Sequence, residues 1–193
     1  MRLLLFASVL LVSGCAVDAA SEADDDTVVG PFEQVDGADV LRAELRAEGT
    51  GDYAVSVRGG QYARTTNVLF YDVPTRDGRW LFPDSERTVL QTIELRDSSR
   101  VRAFLYVVAE EDSDGDDQFG AEDVQTIAVS DPAGRRLVRL AEGVTRFRQS
   151  VRLDDDTVLL LFDEGGAVRG VEVGLDALEV EAQVTMPSPP GTS

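Results

Sequence analysis

The chain has no histidine, no lysine and a single cysteine among its 193 residues. These absences remove Ser-His-Asp and Cys-His catalysis, histidine-ligated zinc, cysteine-rich metal sites and any internal disulfide. Any chemistry is left to carboxylates, Ser, Tyr, Arg or a carboxylate-held metal. Positive charge is scarce too: 18 basic residues, every one an arginine, face 36 acids, for a formal net charge of -18. So acidic a surface repels phosphate backbones and anionic lipid headgroups, which excludes nucleic acid as a partner. Long apolar runs are missing as well. The longest, Leu3 to Val12, covers about ten residues, half of the ~20 that a membrane-spanning helix needs. What remains, 43% hydrophobic and 28% charged residues in a chain of this length, is the composition of one folded domain with room for a core.

The amino terminus carries the next signal. Arg2 gives one positive charge, the apolar run follows, and Val12-Ser13-Gly14-Cys15 then offers an aliphatic residue, two small residues and the only cysteine. This stretch resembles the lipobox of bacterial lipoproteins. The resemblance implies that residues 1–14 are a signal peptide and that Cys15 becomes the lipid-bearing first residue, with more than one acyl chain because a single chain anchors only marginally. The partner is then the membrane, reached through the anchor. Ala16 rather than Asp follows the cysteine, which favours the outer membrane, with the domain facing the periplasm or the exterior.

Residues 15–31, centred on Ser21-Glu22-Ala23-Asp24-Asp25-Asp26, read as an acidic tether that repels itself and extends, and 187–193 as a Pro-rich disordered tail. Between them, 32–186 read as a β-domain. Asn67 to Tyr71 and Val101 to Ala109 are β-branched and aromatic runs suited to central strands, and Tyr53, Val55 and Val57 alternate with polar neighbours. Further strands are expected over Thr88 to Leu95, Val124 to Val129, Arg136 to Leu140, Val144 to Leu153, Thr157 to Phe162, Val168 to Val173 and Leu178 to Thr185. Asp39 to Glu48 has helix-forming content but strict alternation at Leu41, Ala43, Leu45 and Ala47, and is read as strand before a Gly49-Thr50-Gly51-Asp52 turn. Asp131-Pro132-Ala133-Gly134, Asp154-Asp155-Asp156 and Glu164-Gly165-Gly166-Ala167 have hairpin-turn chemistry, so neighbouring strands should be antiparallel.

One unit occurs twice. Val68 to Asp72 leads to Asp77-Gly78-Arg79-Trp80-Leu81-Phe82, and Thr126 to Asp131 leads to Gly134-Arg135-Arg136-Leu137-Val138. Each is a strand, an Asp-bearing turn with Gly, and a strand. The unit resembles the inner hairpin of TolB-like and WD-repeat β-propellers. Two units fall short of the four to eight blades that close a propeller. The expected fold is therefore all-β: an antiparallel sheet assembly of propeller-like hairpins, a partial propeller or sandwich and not a full closed propeller.

The most specific motif is Asp112-Ser113-Asp114-Gly115-Asp116-Asp117-Gln118-Phe119-Gly120-Ala121-Glu122-Asp123. Alternate carboxylates on a curled loop point inward together, and a hard cation wants six to eight oxygens. The stretch resembles the EF-hand-type calcium loop. The resemblance places Asp112, Asp114 and Asp116 at its first, third and fifth positions, a backbone carbonyl of Gln118 at the seventh, an apolar anchor at Phe119 and Asp123 at the twelfth. The usual sixth-position Gly is Asp117 and the usual bidentate Glu is Asp123, so the expected Ca²⁺ affinity is low, about 10⁻⁴ to 10⁻³ M. The flanks read as strands, which makes the ion a structural staple.

Arg146, Arg148 and Arg152 line one face of an alternating strand and suit either an anionic partner or acids from the next strand. Asp163 and Glu164 are the nearest thing to a hydrolytic carboxylate pair, but they are adjacent in a turn. Trp80, Phe82 and Tyr71 read as core. The expectation is a non-catalytic envelope lipoprotein whose Ca²⁺-stapled β-domain presents a surface to an envelope protein or cell-wall glycan. The alternative is a carboxylate-dependent glycan hydrolase or metal-assisted phosphoesterase of the periplasm.

Overall fold

A computed structural model describes residues 27–48, 55–56, 62–116 and 119–187, and every regular element among them is a β-strand. The candidate lipidation residue Cys15, the Gly49 to Asp52 turn, Asp117 and Gln118 lie outside the described residues. All strand pairs are antiparallel, and the strands form two sheets rather than a closed ring of blades.

The first sheet holds β1 (Thr27–Val29), β2 (Glu33–Gln34), β3 (Val40–Glu48), β4 (Val55–Ser56), β5 (Tyr62–Asp72) and β6 (Asp77–Trp80). Alternation prevailed over helix propensity in β3, which pairs with β5 along its whole length, Val40 opposite Asp72 and Glu48 opposite Ala63. Strand β1 falls in the span read as tether, where Val29 pairs with Leu45.

The second sheet is a seven-strand meander in chain order: β7 (Thr88–Arg96), β8 (Val101–Ala109), β9 (Gln125–Ser130), β10 (Leu137–Arg152), β11 (Thr157–Glu164), β12 (Ala167–Gly174) and β13 (Glu179–Thr185). The two strands expected on either side of Ala141-Glu142-Gly143 are one long strand, β10. Its first half pairs with β9 as far as Val144, and its second half pairs with β11 from Val144 onward. Gly143, at φ +69°, and a series of bulges let the backbone bend there without giving up its ladder. The bend curls the sheet. Leu95, Leu105, Ile127 and Val144 on one half then share a core with Leu160, Phe162, Val173 and Leu175 on the other.

A second core lies between the sheets, with Val68 and Phe70 of β5 meeting Phe104, Tyr106 and Val108 of β8. Strand β8 thus has a core on each face, which is why its sequence is apolar from Ala103 to Ala109 without a polar alternation. Arg102 is the extra residue of a bulge in β8, and that bulge turns Val101 to the same side as Phe104.

The two copies of the repeated unit are both hairpins, and they dock on each other. In the β5–β6 hairpin, Asp72 accepts bonds from the amide and hydroxyl of Thr75. In the β9–β10 hairpin, Asp131 accepts from the amides of Ala133 and Arg135. Arg135 then forms an ion pair with the buried Asp72 of the first unit. Gly134 has φ +63°, and a Cβ there would lie 2.3 Å from the Phe70 ring, so only glycine fits. Asn67 fixes the segment after β6: its Nδ2 donates to the carbonyls of Phe82 and Asp84, and its Oδ1 accepts from the amides of Phe82 and Val68.

Candidate metal-binding loop

The acidic motif occupies the connection between β8 and β9, two strands that are buried and paired with each other. Only the connection is free to carry charge. Within it, carboxylate oxygens of Asp112, Asp114 and Asp116 all lie within 4.8 Å of one another. The curl comes from local bonds: Asp112 Oδ1 accepts from the amides of Gly115 at 2.7 Å and Asp116 at 3.2 Å, and Asp114 Oδ1 accepts from the amide of Asp116 at 3.1 Å. Gly115, at φ +78°, supplies the left-handed residue that lets the chain reverse.

This crowding has an electrostatic signature. The Asp114 carboxyl is held above the usual aspartate range, first by desolvation, then by the charges of Asp116 and Asp123 and a hydrogen bond shared with Asp112, while the Asp116 amide opposes. Like charges gathered this way lower the free energy of an arriving cation.

Asp123 has a different placement from the three. It is buried, with Oδ1 accepting from the Ser113 amide at 2.6 Å and the Ser113 hydroxyl at 3.1 Å, and Oδ2 accepting from the Gly120 amide at 2.7 Å. Burial acts to raise this carboxyl, and the donors from Gly120 and Ser113 outweigh it, so the group is held below its ordinary range. Asp123 therefore closes the loop across its base. Phe119 lies under the Arg64 guanidinium of β5, 5.1 Å from the ring centre, and ties the loop to the other sheet.

Residue-type reasoning missed the base of the loop. Glu110 accepts from Arg87 at 3.0 Å, from Arg139 at 2.7 and 2.8 Å, and from the Thr126 hydroxyl at 3.2 Å. Gln125 donates to the Ala121 carbonyl and accepts from the Phe147 amide, joining the loop to β10. Nothing in the sequence pairs Glu110 with Arg87 and Arg139, residues that only the sheet brings together.

The other candidates are engaged elsewhere. Asp163 accepts from Arg148 at 2.8 Å and Glu164 pairs with Arg169 at 3.5 Å, so the adjacent carboxylates face arginines rather than each other. Of the arginine stripe, Arg148 has this acid of the next strand and Arg152 donates to the Asp155 carbonyl at 2.6 Å, while among the described residues Arg146 makes neither an ion pair nor a side-chain hydrogen bond. Tyr71 is half-buried and Trp80 exposed, and of the three aromatics expected inside only Phe82 is in the core.

No protein-family model matches this chain, and no curated protein does. Among solved structures it is similar to the β-propeller domain of the Trilobed protease from Pyrococcus furiosus, a domain of open velcro topology, with 12% sequence identity and a TM-score of 0.42. That match covers 84% of this chain and 43% of the other, so the chain spans less than half the length of the protein it resembles.

Proposed function

We propose that this protein is a non-catalytic lipoprotein of the cell envelope, a β-domain held to the membrane through Cys15 and stapled by Ca²⁺ between β8 and β9. Its role on this reading is to present a surface to an envelope protein or to cell-wall glycan. The observation that carries the staple is the convergence of the Asp112, Asp114 and Asp116 carboxylates on one another in a loop closed by Asp123. Oxygen ligands of this kind suit a hard cation, and a site of low affinity is useful only where calcium is abundant, outside the cytosol. That requirement agrees with the Val12-Ser13-Gly14-Cys15 sequence.

A thermal melt of the domain in EDTA and in Ca²⁺ tests the staple, with a higher melting temperature expected in Ca²⁺ and an unchanged one removing the ion. Fractionation of wild type and Cys15→Ser tests the anchor. Wild type is expected in membranes and the variant in the soluble fraction; the same distribution for both overturns the lipid attachment.

A further inference from the structure

The acidic loop borders a second feature that the staple does not use. At the mouth of the curled sheet a cavity of about 370 Å³ opens between β7, β10 and the end of the loop. Two of its walls depart from plain strand geometry. In an ordinary strand successive side chains point to opposite faces, so three consecutive residues cannot line one space. Here Thr145, Arg146 and Phe147 all border the cavity, as do Leu90 and Gln91 opposite, and Arg146 and Phe147 also border a second cleft beside Arg148 and Gln149. Bulges are the reason: pairing jumps from Val144 to Arg146 and from Phe147 to Gln149 in β10, and from Val89 to Gln91 in β7. Bulges that re-aim side chains into a common space are a recurrent device of binding sites. This one is braced, because the amide of Phe147 donates to the buried Gln125, whose own amide holds the loop at Ala121.

The charges in the cavity are opposite and separate. Among the described residues Arg146 has no ion-pair partner, although acids outnumber arginines two to one in this chain. Glu122 lines the same cavity and has no ion-pair or side-chain hydrogen-bond partner among the described residues either. Leu90, Val107 and Phe147 give the wall between them an apolar patch. A simple anion would meet the field of a chain with net charge -18, whereas a ligand carrying both charges would not.

We propose that this cleft binds a small zwitterion with an apolar side chain, an α-amino acid or the end of a short peptide. Arg146 takes the carboxylate, Glu122 the ammonium group, and the Leu90–Phe147 wall the side chain. The site uses none of the carboxylates assigned to the ion, so ligand binding is measured both in EDTA and in Ca²⁺ and is scored separately from the staple.

Backbone NMR of the domain, titrated with leucine, alanyl-leucine, N-acetylleucine, leucinamide and glucuronate, tests it. Leucine or alanyl-leucine is expected to shift the amides of Glu122 and of Thr145 to Phe147 saturably, and which of the two binds more tightly separates a free amino acid from a peptide end. N-acetylleucine and leucinamide, each lacking one charge, should bind about tenfold more weakly, as should leucine to Arg146→Gln. Both side chains are exposed, so Arg146→Gln and Glu122→Gln should keep the fold, and Glu122→Gln should weaken leucine while leaving N-acetylleucine unchanged. The proposal is overturned if neither zwitterion saturates by about 10 mM, if glucuronate or N-acetylleucine binds as well as leucine, or if Arg146→Gln binds like wild type.

Discussion

Strand β8 separates two acidic turns that manage their charge in opposite ways. In the turn before it, and in those packed beside that turn, carboxylates are gathered around arginine. Arg102 lies 3.6 Å from Asp97 and 2.8 Å from Asp156 and also bridges Asp176, while Arg100 reaches Asp97 at 3.1 Å. In the loop after β8, Asp112, Asp114 and Asp116 are gathered around one another. The titration behaviour follows. Asp97 is held well below the usual aspartate range, chiefly by the Ser99 amide, with the Arg100 amide and side chain adding to it against the effect of burial. Asp114 is pushed the other way by desolvation and like charge. A chain with twice as many acids as arginines cannot neutralise every turn internally. The turn built around arginine has its counter-charge in the chain, and the loop whose carboxylates crowd one another is suited to a cation from solution.

The largest effect is expected at the base of the loop. Asp123→Ala leaves the amides of Ser113 and Gly120 without their buried acceptor, at a cost of about 2–3 kcal/mol. At about 2–4 °C per kcal/mol for a chain of this size, the melting temperature should fall by about 4–12 °C. Calorimetry that shows a change of less than about 2 °C would mean that the loop is not closed through Asp123. Next comes the ion. With a dissociation constant of about 10⁻⁴ to 10⁻³ M, about 10 mM Ca²⁺ should stabilise the fold by about 1.4–2.7 kcal/mol. Asp114→Asn should abolish that response while raising the melting temperature measured in EDTA, because it removes one of three crowded charges. A variant that is less stable in EDTA than wild type would show that the three carboxylates do not oppose one another.

Much of this contrast was legible in the sequence, and the parts that were not have a common cause. The apolar run of β8, the alternation of β3 and the Asp and Gly of both hairpin turns are local signals, and each led to the right element. The spacing of Asp112, Asp114 and Asp116 is also local, and it brought the carboxylates together. The bend of β10 was misread as a break, because Gly143 signals a turn equally well whether the chain reverses or only bends. The pairing of Glu110 with Arg87 and Arg139, of Arg102 with Asp156 and Asp176 and of Arg135 with Asp72 joins residues 23 to 74 positions apart, and no local pattern announces them. Asp123 was expected to point at an ion. Its burial and its bonds to Ser113 and Gly120 depend on how the loop folds back, which no spacing announces.

The arginine-centred turn gives a smaller test. Arg102 has a mostly buried side chain, but Asp156 and Asp176 are well exposed, so solvent screens much of the attraction. Arg102→Met keeps the packing of the stem and should cost about 1 kcal/mol, visible as a small loss of urea midpoint with an unchanged slope. The informative part is the ion response: unlike Asp114→Asn, this variant should keep the full stabilisation by Ca²⁺. If it gained a second Ca²⁺-dependent increment, the carboxylates that Arg102 had held would have become a cation site.

The smallest effect is the dependence on pH, and its sign differs between the turns. Asp97 and Asp123 have folded-state values below the ordinary one of 3.8, so their contribution is present above that pH and is lost as pH falls through the lowered values. Asp114 has a raised value, so its contribution is present below the ordinary value and is lost as pH rises through the raised one. Acidification toward pH 4 should therefore first relax the loop after β8 and only later weaken the turn before it. Carboxyl carbon shifts followed by NMR should show Asp114 titrating above Asp97. Because Ca²⁺ competes with protons for the same oxygens, adding it should move Asp114 downward and leave Asp97 in place. Should Ca²⁺ shift both carboxyls or neither, the ion would be acting on the net charge of the chain or not at all, and the loop would have no privileged claim on it.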